Sequence, residues 1–290
     1  MMKEALLYEK LEDNKVKCNV CGHRCVIKEG KRGICRVREN REGTLYAINY
    51  GKAAAVNIDP IEKKPLYHFL PGTKAYSFGT EGCNMHCTWC QNWRISQSPD
   101  ADEAVRGRDI SPEEIVEGAV ENNCDSIAYT YTEPTIFLEY ALDTMKLAQE
   151  KGIKNVWVSN GYMTRETLNE IIPYLDAANI DHKGPDKLYK EHIGGSVKEV
   201  EENLKYLKRA GVHVEVTTLV IPGLNDKEEE LKHIAEFISS ELGDQVPWHI
   251  SRFFPGWKMQ DVEITPMETL KKAEKIGREA GLKNVHLGNV

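Results

Sequence analysis

The sequence has no apolar run approaching the roughly 20 residues that a membrane-spanning helix needs. Residues 1–17 are charged and lack the apolar segment of an export signal. There is no low-complexity segment and no sequence repeat. A basic excess is missing too. Asp and Glu number 45 against 38 Lys and Arg, a formal charge of -7, so the surface does not advertise nucleic-acid binding. The cytoplasm is the expected location, and neither a membrane nor a nucleic acid is an expected partner. The 290 residues allow one large domain, one small one and a sizeable core.

Cysteine, in contrast, is plentiful. Seven of the eight cysteines fall within residues 18–90, and only Cys124 stands apart. Without an export signal, such clustering argues for metal ligation over disulfides. Cys83, Cys87 and Cys90 form C-x3-C-x2-C just after a strand-like run at 75–79. Three thiolates ligate three irons of a [4Fe-4S] cube and leave the fourth open. The other reading is a structural zinc loop, which wants four ligands. His86 is adjacent to Cys87 and poorly placed to be the fourth. Cys18, Cys21, Cys25 and Cys35 form a second cluster, punctuated by Gly22, Gly30 and Gly33. Four cysteines close a coordination sphere, and zinc and an auxiliary iron-sulfur cluster both suit them. Arg24, Lys28, Lys31, Arg32, Arg36, Arg38 and Arg41 make this stretch locally basic. They serve either to compensate thiolate charge or to dock an acidic partner. Cys124, at a strand start, is expected to be a small buried hydrophobe.

Residues 45–50 and 53–58 read as short strands joined in a hairpin across Gly51-Lys52. The mixed-charge segment 59–72 reads as a linker, which puts a domain boundary near residue 70: a Cys-rich module at 1–70 and a larger domain at 71–290. Beyond it, strands are expected at 75–79, 126–131, 155–159, 177–181, 213–220 and 248–253, with a possible last one at 285–287. Helices fall between them. Ser111 with Glu114, and Ser196 with Glu199, look like capping boxes, and Asp226 looks like a third cap. Alternation with short loops means α/β with a parallel sheet, and six core strands are counted.

The run Gly82-Cys83-Asn84-Met85-His86-Cys87-Thr88-Trp89-Cys90-Gln91-Asn92 resembles the signature of radical S-adenosylmethionine (SAM) enzymes. It is similar to the branch that includes pyruvate formate-lyase activating enzymes. Closer still, with the Cys-rich head and Glu62-Lys63-Lys64-Pro65, is the radical SAM member of the AmmeMemoRadiSam system. The resemblance implies an incomplete (β/α)6 TIM-like barrel with a small N-terminal Cys-rich module, and a [4Fe-4S] cluster and SAM as cofactors. It implies reductive cleavage of SAM to a 5′-deoxyadenosyl radical that abstracts hydrogen from an unidentified substrate. The alternatives are activation of a glycyl radical enzyme at a protein glycine, and a non-catalytic zinc or iron-sulfur module. An electron donor such as flavodoxin or ferredoxin is implied, with Memo-like and AMMECR-like proteins or a glycyl radical enzyme as partners.

Site residues carry over position by position. Glu133 matches the acid that holds the SAM ammonium, although Tyr131-Thr132-Glu133-Pro134 replaces the usual Gly-Gly-Glu-Pro. Asn160 matches a ribose contact, and Asp181 and Lys183 an Asp-x-Lys whose Lys holds the methionyl carboxylate. Trp89 is expected near the adenine, Asn92 in support of the cluster loop, and His249 near SAM. Ordinary roles compete: a helix-start acid for Glu133, a turn for Asn160, a rim salt bridge for Asp181 and Lys183, and packing for Trp89 and His249.

Overall fold

The computed structural model describes residues 2–100 and 103–290. Among these, eight strands form one sheet: β1 (Ala55–Pro60), β2 (Lys74–Gly79), β3 (Ser126–Tyr129), β4 (Lys154–Ser159), β5 (Ala177–Asp181), β6 (His213–Val220), β7 (Trp248–Arg252) and β8 (Val285–Gly288). They lie side by side in chain order. β2 to β8 are parallel, and β1 runs antiparallel on β2. The result is a mixed α/β fold with a partial, barrel-like sheet. The main helices are α1 (Pro112–Glu121), α2 (Leu138–Glu150), α3 (Arg165–Ile171), α4 (Val197–Arg209), α5 (Glu228–Phe237) and α6 (Met267–Glu279).

Strand periodicity sorts the side chains into two layers. One face carries Phe78, Tyr129, Trp157, Ile180 and Val216, which join the large core with the helices. α4 shows the matching pattern, burying Val200, Leu204 and Leu207 at helical spacing. The opposite face carries small residues near the strand starts, namely Ala75, Ala128, Val156 and Ala177. Ile61 and Leu66 pack against them, with Phe69 at the edge. The segment after β1 therefore plugs the base of the half-barrel. It is held there by backbone contacts: Asn179 Nδ2 donates to the Pro65 carbonyl at 2.7 Å, and Glu215 accepts from the Tyr67 and His68 amides at 3.1 and 2.8 Å.

The expected hairpin does not form. Thr44–Ala47 pairs with Arg38–Arg41 and with Lys3–Glu4, whereas β1 leaves the N-terminal module and pairs with β2. The edge of a parallel sheet offers a long row of free backbone groups, and six residues of β1 satisfy it better than a two-residue hairpin link would. The barrel sheet thus takes a strand from before residue 70. The count of six parallel strands through 252 holds, and β8 adds a seventh. Ser111 and Glu114 form their capping box. Ser196 makes no capping bond, and the Glu199 side chain lies against Gly22 of the N-terminal module. At the next helix the cap position is Lys227, and Asp226 Oδ1 accepts from the Gly223 amide.

The N-terminal module is fixed to the barrel by a buried ion pair. Arg38 Nη1 and Nη2 donate to the two carboxylate oxygens of Glu139 at 3.0 and 2.7 Å, and both side chains are at most 2% exposed. Glu139 sits in the first turn of α2, where the helix dipole favours an acid. It also accepts from the Leu6 amide at 3.0 Å. Removing one partner of such a pair strands a buried charge. Glu139→Ala should therefore lose about 3–5 kcal/mol of stability in urea unfolding. A loss under about 1 kcal/mol, the range of an exposed pair, would contradict this placement.

Candidate active site

The carboxyl ends of β2 to β6 open onto one cavity of about 510 Å³. The loop after β2 carries Cys83, Cys87 and Cys90, and all three line that cavity. Strands ending on the same side bring Ser159 and Asn160 from β4, and Asp181 and Lys183 from β5. Trp89 and Asn92 complete the loop side. Open α/β sheets place their sites at this end because loops there vary without disturbing the core.

Local bonds fix the loop. Asn84 is fully buried; its Nδ2 donates to the Tyr162 carbonyl at 2.9 Å and its Oδ1 accepts from Asn160 Nδ2 at 2.8 Å. Asn92 Nδ2 donates to the Tyr131 carbonyl at 2.8 Å, tying the loop to the segment after β3. Cys90 Sγ lies 3.2 Å from Ser96 Oγ. Burial pushes the Cys83 thiol well up. Burial also raises Cys87, to about 11, against the opposing pull of the Lys183 ammonium.

Lys183 lines the cavity from the β5 side, as Lys63 and Lys64 do from the other. Its Nζ donates to Asp181 Oδ2 at 2.6 Å. Burial alone would lower its pKa, but Asp181 outweighs burial and holds it above its ordinary value. Asn225 Nδ2 donates to the Lys183 carbonyl at 2.7 Å and Tyr189 Oη accepts from its amide at 3.1 Å, so the residue is set from both sides of the backbone.

Two expected site residues lie off the cavity wall. Glu133 is fully buried beneath it, and burial raises its carboxyl. Its oxygens accept from Ser159 Oγ at 2.7 Å, the Asn160 amide at 2.8 Å, and the Thr135 hydroxyl and amide at 2.6 and 3.1 Å. Glu133 therefore orients the two β4 residues that do face the cavity. His249 points to the plugged base, where its Nε2 donates to Glu215 Oε2 at 2.6 Å and its ring meets Tyr67 edge-on. An acid buried on the inner face of β6 needs donors, and His249, His213 and the plug amides supply them.

Sequence reasoning missed a whole wall. Asn57, Asp59, Lys63 and Lys64 line the cavity from β1 and the segment after it. Lys64 is almost fully buried and donates to Asp59 Oδ2 at 2.7 Å; Lys63 reaches Oδ1 at 3.0 Å, and Tyr131 Oη donates to Oδ2 at 3.2 Å. The Asp59–Lys63 spacing was readable as an ion pair. Its place beside the cysteines follows only from the pairing of β1 with β2.

The family model described as the radical SAM superfamily matches residues 78–238, more than half of the chain. The chain belongs to the radical SAM superfamily. It is an enzyme of SAM-dependent radical chemistry, a class associated with [4Fe-4S] and SAM. It is 48% identical over 289 residues to an uncharacterized protein of Methanocaldococcus jannaschii, covering 100% of this chain and 86% of that one. It is more distantly similar, at 25% identity, to the pyruvate formate-lyase-activating enzyme of Clostridium pasteurianum, covering 72% of this chain and 92% of that one. Among solved structures, a radical SAM methyltransferase from Sphaerobacter thermophilus shares the fold with a TM-score of 0.57 at 14% identity, over 76% of this chain and 67% of that one. The residues present fit the cofactors of this radical SAM family: three thiols, the ammonium groups of Lys63, Lys64 and Lys183, two carboxylates and several amide and hydroxyl groups share a single cavity large enough for a small cluster and a ligand.

The Asp59–Lys64 wall gives a pH-dependent prediction. Burial would raise the Asp59 carboxyl, yet hydrogen bonds from Lys64 and Lys63 hold it at about 2, below the ordinary value of about 4. A depressed acid stabilises the fold above its unfolded pKa, and the effect is lost as pH falls through the folded one. Asp59→Asn should therefore cost about 2 kcal/mol near neutral pH, and urea unfolding should show that cost shrinking from about pH 5 toward about pH 2.5. A difference that does not change with pH would contradict the pairing.

Proposed function

We propose that this protein cleaves SAM reductively on a six-unit incomplete (β/α) barrel, and that it is the radical SAM member of an AmmeMemoRadiSam-type system. The observation that carries this reading is the convergence of Cys83, Cys87 and Cys90 with the Lys183–Asp181 pair on one cavity. Cys83, Cys87 and Cys90 would hold a [4Fe-4S] cluster, and that cluster, given one electron by an external donor, would supply the reductive cleavage of bound SAM that yields a hydrogen-abstracting radical. The chain's own residues then bind and aim. Lys183 takes the methionyl carboxylate, and Asp181 keeps its ammonium charged and oriented. Ser159 and Asn160 meet the amino and ribose groups, and Glu133 sets them and adds negative charge beneath the ammonium. Trp89 gives the adenine an apolar surface. The Asp59–Lys64 wall limits water on the open side. His249 keeps a structural place at the base.

Two substrate classes are to be tested, a small molecule and a protein glycine. The likeness to pyruvate formate-lyase-activating enzymes supports the glycine reading. Memo-like and AMMECR-like proteins, or a glycyl radical enzyme, are the partners to test, with flavodoxin or ferredoxin as electron donor. Among the described residues no helix is long and apolar enough to cross a membrane.

Anaerobic incubation of cluster-loaded protein with a strong reductant and SAM should yield 5′-deoxyadenosine and methionine. Neither product forming, with substrate candidates present, would overturn the reading. Lys183→Met removes a charge-assisted contact worth roughly 1.5–3 kcal/mol. SAM affinity should fall about ten- to hundredfold with iron content unchanged. Wild-type affinity in that variant would contradict the carboxylate role.

A further inference from the structure

The cavity has a second charged side, which neither the cluster nor SAM engages in the arrangement proposed above. Asn57, Asp59, Lys63 and Lys64 line it from β1 and the segment after it, with Tyr131 beside them. β1 is an edge strand, and three strands separate it from β5, which carries Asp181 and Lys183. The four cysteines of the N-terminal module line a separate void and take no part in this wall.

Lys64 is only 4% exposed, and a lysine is seldom buried to that degree. Its ammonium carries three N–H donors. One goes to Asp59 Oδ2 at 2.7 Å, and the nitrogen stands over the Tyr131 ring, 5.0 Å from its centre. Among the described residues Lys64 Nζ makes no other hydrogen bond. Asp59 in turn is shared, because its Oδ1 accepts from Lys63 at 3.0 Å. One carboxylate therefore serves two ammonium groups, whereas Asp181 serves Lys183 alone. Asp181 holds the Lys183 pKa above its ordinary value, but at Lys64 burial prevails over Asp59 and the pKa is lowered. An anion beside Lys64 would take up its free donors and balance its charge.

The backbone gives a second, independent sign. Tyr131 has φ +73°, in the left-handed region that a bulky side chain rarely adopts. Glycine would take that conformation without strain. Tyrosine there puts its ring under the Lys64 ammonium, accepts from Asn57 Nδ2 at 2.7 Å and donates to Asp59 Oδ2 at 3.2 Å. Strain of this kind persists where its surroundings enforce it, and it gathers at ligand sites.

We propose that the β1 side is the substrate's subsite, where Lys64, set by Asp59 and Tyr131, binds a carboxylate or phosphate of the molecule that gives up its hydrogen. This rests on SAM occupying the β5 side. The side chain of Lys63 is mostly exposed and adds positive charge that draws an anion inward. A glycine offered on a neutral stretch of peptide would leave the free donors of Lys64 unused.

The test is calorimetric titration of inorganic phosphate, and separately of acetate, into full-length, cluster-loaded protein with saturating SAM. Saturable binding is expected, and the tighter of the two probes tells phosphate from carboxylate chemistry. Lys64→Met should weaken that binding about ten- to hundredfold. No saturable binding of either probe, or wild-type affinity in Lys64→Met, would overturn the subsite. Anion binding that disappears when SAM is added would place the anion at Lys183 and overturn it too. Should Lys64→Met not fold, Asp59→Asn decides: it removes a competing carboxylate and should tighten anion binding about threefold or more, and weaker binding there would overturn the proposal. Protein that fails to cleave SAM yet binds phosphate through Lys64 would overturn the SAM reading and leave this subsite standing.

Discussion

The antiparallel pairing of Ala55–Pro60 with Lys74–Gly79 decides where the rest of the chain goes. It closes one edge of the parallel sheet, which would otherwise present free backbone groups. It also carries three consequences in one stroke. The polar residues Asn57 and Asp59 become a wall of the cavity, with Lys63 and Lys64 behind them. Ile61 and Leu66 are delivered to the inner face of the half-barrel. The N-terminal module, which precedes the strand, is brought against the cysteine loop that follows its partner strand.

The inner face of the sheet then grades from apolar to polar along the strand direction. Ala75, Ala128, Val156 and Ala177 are small because the plug needs room. Two residues or more further along, Thr130, Val158 and Asp181 face the cavity. The buried acids mark the two levels. Glu215 at the base has four donors, and His213 and His249 overcome its burial to hold its carboxyl at about 2. Glu133 has its donors too, but burial prevails and its carboxyl is raised. One acid is a structural anchor for the plug; the other underlies the residues that face the ligand.

Much of this was legible in the sequence. Strand and helix alternation gave the parallel sheet, because hydrophobic periodicity and turn signals are local. The C-x3-C-x2-C loop and the Asp181–Lys183 pair were found because their chemistry is written in adjacent residues. What escaped depended on distant pairing. The hairpin at 45–58 looked sound locally, yet the sheet edge at β2 was the stronger partner for β1. His249 looked like a strand-end ligand because strand position alone cannot tell which level of the barrel a residue faces. Glu133 lies beneath the cavity rather than on its wall, and its occupation by Ser159, Asn160 and Thr135 could not be read from Glu-Pro. The nearness of the two cysteine clusters was hidden by the long linker between them; it shows in the structure where Gly82 meets the Cys35 carbonyl.

The central claim is that Cys83, Cys87 and Cys90 leave one iron free to bind SAM in front of Lys183. EPR of the reduced, cluster-loaded protein with and without SAM measures this directly. The account predicts a clear change of the g values of one signal on adding SAM, and no such change when Cys87 is replaced by Ala. A spectrum that SAM leaves untouched in the wild-type protein, with the cluster verified as intact, would contradict it.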